Sequence, residues 1–133
     1  MSRVIEVARS WLGTTWMHGQ RVKGIGVDCV GFLFAVASEC GYDLPPLPSN
    51  YERIALKDSI REYLNTNLIA YPDIVSEAVL LFQYSGFNNH VAIATSTNSI
   101  IHASYTHQKV VEHPLDGVWL RTLKGVWIYP EKV

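Results

Sequence analysis

The chain opens on a helical rhythm of apolar and polar positions. Over Ser2 to Leu12, Val4, Ile5, Ala8, Trp11 and Leu12 fall on one stripe while Arg3, Glu6 and Arg9 stay outside it, and Gly13 ends the run. This predicts a first amphipathic helix. From Thr14 to Gly26 the periodicity lapses among Trp16, His18, Gly19, Gly24 and Gly26, which predicts a loop. Asp28, a residue type that caps helix N-termini, then precedes Cys29 and the apolar positions Val30, Phe32, Leu33, Phe34, Val36 and Ala37. A mostly buried helix is expected there, with Cys29 in its first turn and Gly41 just past its end. Pro45, Pro46 and Pro48 forbid its continuation. Ala55 to Asn65, with Leu56, Ile60, Tyr63 and Leu64 at helical spacing, predicts a third, shorter helix.

Beyond Ala78 the period shortens to two. Val79 to Tyr84, His90 to Thr95, Ser99 to Ala103 and Lys109 to Glu112 are short runs rich in β-branched and aromatic residues, separated by polar turns. They predict an antiparallel meander, and Val126 to Tyr129 a final strand. Trp119 and Leu120 in the preceding tail read as core. Helices first and strands afterwards, without βαβ alternation, indicate an α+β fold with the helices packed on one face of the sheet.

Composition narrows the function classes. With 133 residues, 48% of them hydrophobic and 17% charged, the chain is expected to form one domain, 1–133, with a real core. The formal charge is −1 and the basic residues are scattered, so no nucleic-acid partner is expected. No segment approaches bilayer-spanning length, so no membrane partner is expected either. Arg3, Glu6 and Arg9 interrupt the N-terminal apolar positions, so synthesis in the cytoplasm without a signal peptide is the expectation. Cys29 and Cys40, eleven positions apart on one predicted helix, would lie roughly 16 Å apart, beyond disulfide reach. Both thiols are expected to be free, with Cys40 structural.

The candidate chemistry starts at Cys29. A helix N-terminus favours thiolate over thiol, the usual route to a nucleophilic cysteine, although unpaired cysteines are also ordinary core residues. A nucleophile needs a base and a group that orients the base. His90 opens one predicted strand and His102 lies in the next. With a turn at Ser96 to Asn98, alternation lets both imidazoles share a sheet face, where they could meet the end of the Cys29 helix. His18, His107 and His113 lie in loops or at strand ends and read as solvated or substrate-edge groups. Zinc on Cys29, His90 and His102 is chemically conceivable, but the short-range ligand pairs that mark such sites are missing, so no metal or other cofactor is expected.

Taken together, Gly13-Thr14-Thr15-Trp16, Asp28-Cys29-Val30-Gly31, His90-Val91-Ala92-Ile93 and Ile101-His102-Ala103 resemble the NlpC-type cell-wall peptidases, which are papain-like cysteine enzymes. Within them the chain is most similar to the compact members encoded in phage and prophage tail regions and gene transfer agents. The resemblance implies a papain-like fold, with Cys29 as nucleophile, His90 as general base and then acid, and His102 as the residue orienting His90. Trp16, His18 and Asp28 are the candidate substrate-binding residues. The implied reaction is hydrolysis of an amide in the peptidoglycan stem peptide, commonly between the γ-carboxyl of D-glutamate and diaminopimelate, through a thioester. Phage-like tail proteins become expected partners, and delivery to the wall by a phage-like particle or by lysis the expected route. The chain departs from the family pattern at Trp16, usually tyrosine, at Val30, usually serine, and at Ala92, usually glycine. Glu77-Ala78 also stands where a Pro-Gly-Asp turn is usual. These departures keep open a catalytically weak tail assembly or binding module, or an acyltransferase or deamidase on the same scaffold.

Overall fold

The computed structural model of the chain describes residues 3–45, 59–83 and 89–130. Helix α1 spans Arg3–Arg9, shorter than expected, and buries Val4, Ile5, Val7 and Ala8; of the predicted stripe, Val4, Ile5, Ala8 and Trp11 are buried, but Leu12, beyond the helix end, is exposed. The stretch predicted to be a loop contains a small hairpin, β1 (Arg21–Val22) and β2 (Gly26–Val27). Two-residue strands carry too few positions to show an alternation. Helix α2 (Cys29–Glu39) follows at once. It ends where Tyr42 N–H donates to the Ala37 carbonyl and Gly41 N–H to the Ser38 carbonyl, with Gly41 at a φ of +86°. That is a Schellman closure, and it requires the left-handed conformation glycine adopts without strain.

The third helix, α3, spans Ser59–Asn67. It runs two residues past the predicted end, and Ala55 to Asp58 lie outside the described residues. The sheet comprises β3 (Ile69–Ala70), β4 (Val79–Gln83), β5 (Asn89–Ser96), β6 (Ser99–Ser104), β7 (Lys109–Pro114) and β8 (Leu123–Ile128), in the spatial order β3-β8-β4-β5-β6-β7. The predicted meander is β4 to β7. Tyr84 lies outside the described residues. The last strand returns to pair antiparallel with both β3 and β4, and it is reached through a five-residue helix, α4 (Val118–Thr122), that the sequence pattern does not reveal.

The sheet has two unlike faces. On one, Val79, Leu81, Val91, Ile93, Ile101, Ala103 and Val110 pack with Val4, Val7 and Ala8 of α1, Phe32, Leu33 and Val36 of α2, and Ile60 and Leu64 of α3. The predicted α+β architecture, with N-terminal helices on an antiparallel sheet, is the one observed. On the other face Leu80, Phe82, Ala92, Ala94, Ile100 and Val126 pack with Leu115 and with Trp119 of α4. Strand β4 is buried on both sides, which explains its unbroken apolar run. Arg9 closes the edge by a bidentate pair with Glu112 of β7, at 3.0 and 2.8 Å. Among the described residues, no helix is long and apolar enough to cross a membrane.

Candidate active site

Asp28 sets the start of α2. Its Oδ1 accepts from Gly31 N–H at 2.7 Å and its Oδ2 from Gly19 N–H at 2.8 Å, so one buried carboxylate both caps the helix and holds the preceding loop. Space explains the glycine two residues after the cysteine: a Cβ on Gly31 would stand 2.8 Å from both Asp28 Oδ1 and the Gln20 carbonyl oxygen. Asp28 is thus committed to backbone, which accounts for its absence from the cavity wall despite its place beside the nucleophile. His18 is exposed, with Nδ1 3.9 Å from Asp28 Oδ2, and it too lies off the cavity wall.

Trp16 does line the cavity. Its backbone N–H donates to the Gln108 carbonyl at 2.9 Å, and Met17 N–H donates to that of Val27 at 3.0 Å. The segment is therefore held between the start of β7 and β2. The indole meets Tyr105 edge-on, with ring centroids 4.9 Å apart.

Cys29 and the two histidines come from opposite faces of the sheet. Strand alternation puts His90 with Ala92 and Ala94, and His102 with Ile100, on the face away from α2. They meet Cys29 because β5 and β6 part company. Their paired positions run from Ser96↔Ser99 to Ile93↔Ile101 and go no further among the described residues. Past that point the backbone of Val91 hydrogen-bonds Cys29 instead. The tip of α2 enters the gap, and Cys29, His90, His102, His107, Trp16 and Trp119 line one cavity of about 820 Å³.

The imidazoles form a chain. His90 Nε2 lies 2.7 Å from His102 Nδ1, and His102 Nε2 lies 2.8 Å from His113 Nε2. Trp119 closes over them, its ring centroid 5.0 Å from His102 and 5.1 Å from His113. His113 and Trp119 were not among the site residues expected from sequence. His113 was read as a strand-end surface group, yet β7 runs on to Pro114 and pairs His113 with Ile100, the same face as His102. The parity was available; the register and the length of β7 were not. His107, also read as peripheral, is exposed and bonds Ser104 Oγ through Nδ1 at 2.9 Å.

Burial favours the neutral forms throughout. It pushes the Cys29 thiol up to about 11, with the Asp28 carboxylate adding to the rise and backbone hydrogen bonds from Val91 and Val30 opposing it. The backbone hydrogen bonds at the start of α2 act in the direction the sequence suggested, towards the thiolate, and desolvation acts against them. Burial lowers His90 to about 4, and lowers His102 further, each with help from neighbouring imidazoles. Cys40, capping the far end of α2, is buried and not in a disulfide. Among the described residues no group of three or more His, Cys, Asp or Glu side chains is arranged to hold a metal ion.

The fold recurs in solved structures. The chain superposes on an NLP/P60-family lipoprotein-like protein from Staphylococcus aureus with a TM-score of 0.72 and 17% identity, covering 98% of this chain and 41% of that one. It matches the NlpC/p60 domain of the peptidoglycan hydrolase SagA with a TM-score of 0.63 and 21% identity, covering 94% and 95%. For the peptidoglycan hydrolase RipB from Mycobacterium tuberculosis the TM-score is 0.66 with 17% identity, covering 97% and 64%. The chain thus spans under half the length of the staphylococcal protein. No curated protein sequence matches it. The model of the NlpC/P60 family matches residues 11–128, a span that takes in the capped cysteine, the parted strands and the whole imidazole chain, and the protein belongs to that family.

Proposed function

We propose that the protein is a cysteine peptidase or amidase that cuts an amide bond in the peptidoglycan stem, the γ-D-glutamyl-diaminopimelate bond being the first candidate. One observation carries this: Cys29, His90 and His102 line a single cavity, with His90 Nε2 bonded to His102 Nδ1 at 2.7 Å. Family membership and two similar structures described as peptidoglycan hydrolases support it.

The chemistry follows from the neutral resting forms. His90, through Nδ1, takes the Cys29 proton as Sγ attacks the carbonyl carbon, so thiolate forms during attack rather than before it. The backbone N–H of Cys29, at the start of α2, donates to the developing oxyanion. Collapse breaks the C–N bond, the leaving amine takes the proton from His90, and a thioester remains. Water, deprotonated by His90, then attacks the thioester carbonyl; collapse breaks the C–S bond, the acid product departs, and the Cys29 thiolate recovers its proton from His90. His102 holds the His90 ring in plane throughout. Trp16 and Tyr105 form an aromatic wall for the substrate.

Digestion of purified peptidoglycan and of a synthetic tetrapeptide stem by wild type and Cys29→Ala, with products weighed by mass spectrometry, tests the assignment. A cut made only by the wild type is expected, and the product masses separate hydrolysis from acyl transfer. Full activity in Cys29→Ala overturns it. A non-hydrolytic tail module is the second reading, favoured by the departures at Trp16 and Val30, and no cut by either protein together with a Cys29 inert to iodoacetamide selects it. Delivery by a phage-like particle belongs to the same proposal, and mass spectrometry of purified particles containing the chain is its test.

A further inference from the structure

The imidazole chain has a direction, and its far end sets it. His113 Nδ1 lies 2.9 Å from the Pro114 carbonyl oxygen, which can only accept, so Nδ1 carries the proton. In neutral His113 the other nitrogen, Nε2, is then an acceptor. At 2.8 Å from it, His102 Nε2 must donate, which leaves His102 Nδ1 as an acceptor. At 2.7 Å from that atom, His90 Nε2 must donate in turn. The proton of His90 is thereby fixed on Nε2, and Nδ1 keeps the lone pair that a general base needs. With the opposite polarity, each donor would become an acceptor, His90 would carry its proton on Nδ1, and it could accept nothing from Cys29.

We propose that His113 is a positioning residue: anchored on the Pro114 carbonyl, it fixes the tautomers of His102 and then His90 so that the catalytic base is always presented with its Nδ1 unprotonated. The consequence is a hydrogen-bonded line four groups long, in which the buried His102 stands between two half-buried imidazoles, His90 on the cavity side and His113 on the carbonyl side. The ring of Trp119, 5.1 Å from that of His113, and the ring of His107, 6.3 Å from it, bound the space in which His113 can turn. His102 alone cannot choose the direction, because an imidazole between two imidazoles is equally satisfied either way. The asymmetry enters at the carbonyl.

This inference rests on His90 acting as the base, and its test separates the two. Long-range nitrogen–proton NMR of the imidazoles reads each tautomer in the resting protein without turnover. Wild type is expected to show His90 and His102 protonated on Nε2 and His113 on Nδ1. In His113→Phe the acceptor is lost, and mixed tautomers at His90 are expected, with kcat down about tenfold and KM unchanged. In His113→Gln the side-chain carbonyl can accept from His102 Nε2–H, and recovery of the single tautomer and of kcat is expected. A wild-type His113 protonated on Nε2 overturns the inference even if His113→Phe fails to fold. So does a single, unaltered His90 tautomer in folded His113→Phe, or failure of His113→Gln to restore it. Full hydrolysis by His90→Ala would instead remove the catalytic assignment and leave the tautomer measurement standing.

Discussion

The two faces of one sheet are built to different ends. The face under α1, α2 and α3 is aliphatic and closely covered, and its residues recur on regular helical and strand periods. The reverse face has small residues, Ala92 and Ala94, where the first has Val91 and Ile93, and that economy of volume admits Trp119 and a line of histidines. Packing alone fixes the first face. On the second, apolar packing surrounds polar groups, and the buried His102 between them must bond its neighbours. The nucleophile belongs to the first face by its helix and to the second by its cavity, and the parting of β5 from β6 connects them.

The sharpest separation of the faces is His90→Ala. Hydrolysis is expected to fall by about 10³-fold or more, while the melting temperature moves little, since the ring is removed from a cavity wall. Parallel peptidoglycan digestion and thermal melts check it; a large loss of stability with residual activity would mean the reverse face is structural first. Leu81→Ala does the converse. Fully buried beneath the helices, it is expected to cost about 3 kcal/mol in urea unfolding while the folded fraction keeps its turnover rate.

Acid distinguishes the faces next. His90 and His102 are held below the ordinary histidine value of 6.5, His90 at about 4, so between these pH values the unfolded chain binds protons that the native chain refuses. Stability therefore rises with pH across this window, is complete above about 6.5, and falls as the solution is acidified toward 4. Urea unfolding of wild type and a His90→Asn/His102→Gln variant at several pH values measures it. The variant is expected to have the flatter profile, whereas Leu81→Ala shifts the whole curve down. Equal slopes in wild type and the histidine variant would show that the imidazoles are not held neutral.

The smallest effect lies outside both faces. Glu77 sits at a φ of +75° in the turn that introduces β4, donating its N–H to the Ala94 carbonyl at 2.8 Å. A backbone in this region suits glycine, which has no Cβ to clash. Glu77→Gly is expected to stabilise the fold by about 0.5 kcal/mol, since relief of the left-handed strain exceeds glycine's added unfolded-state entropy. A thermal melt detects it, and a lower melting temperature would show that the Glu77 side chain contributes more than its backbone costs.

Much of this was legible because it is local. The Asp28 cap, the Gly41 stop and the alternation of the strands depend on neighbours within a few residues and are where the sequence puts them, while the first helix stops at Arg9, short of the predicted Leu12. Cys29, His90 and His102 were legible as a set because residue type, order and strand parity converge on them. What the sequence alone could not reach depends on register and burial. Asp28 reads as a site residue until its carboxylate is seen bonded to Gly19 and Gly31. A helix N-terminus promises a thiolate until desolvation is weighed against it. His113 reads as a strand-end group until β7 is aligned on β6, and Trp119 as core until a five-residue helix turns it over the histidines. The sequence by itself determined which residues could do chemistry and which elements would carry them, because those follow from short-range sterics and periodicity. Tertiary structure decided how the strands part, which protons the buried groups keep and how many imidazoles stand in line, because those follow from where distant segments exclude water from one another.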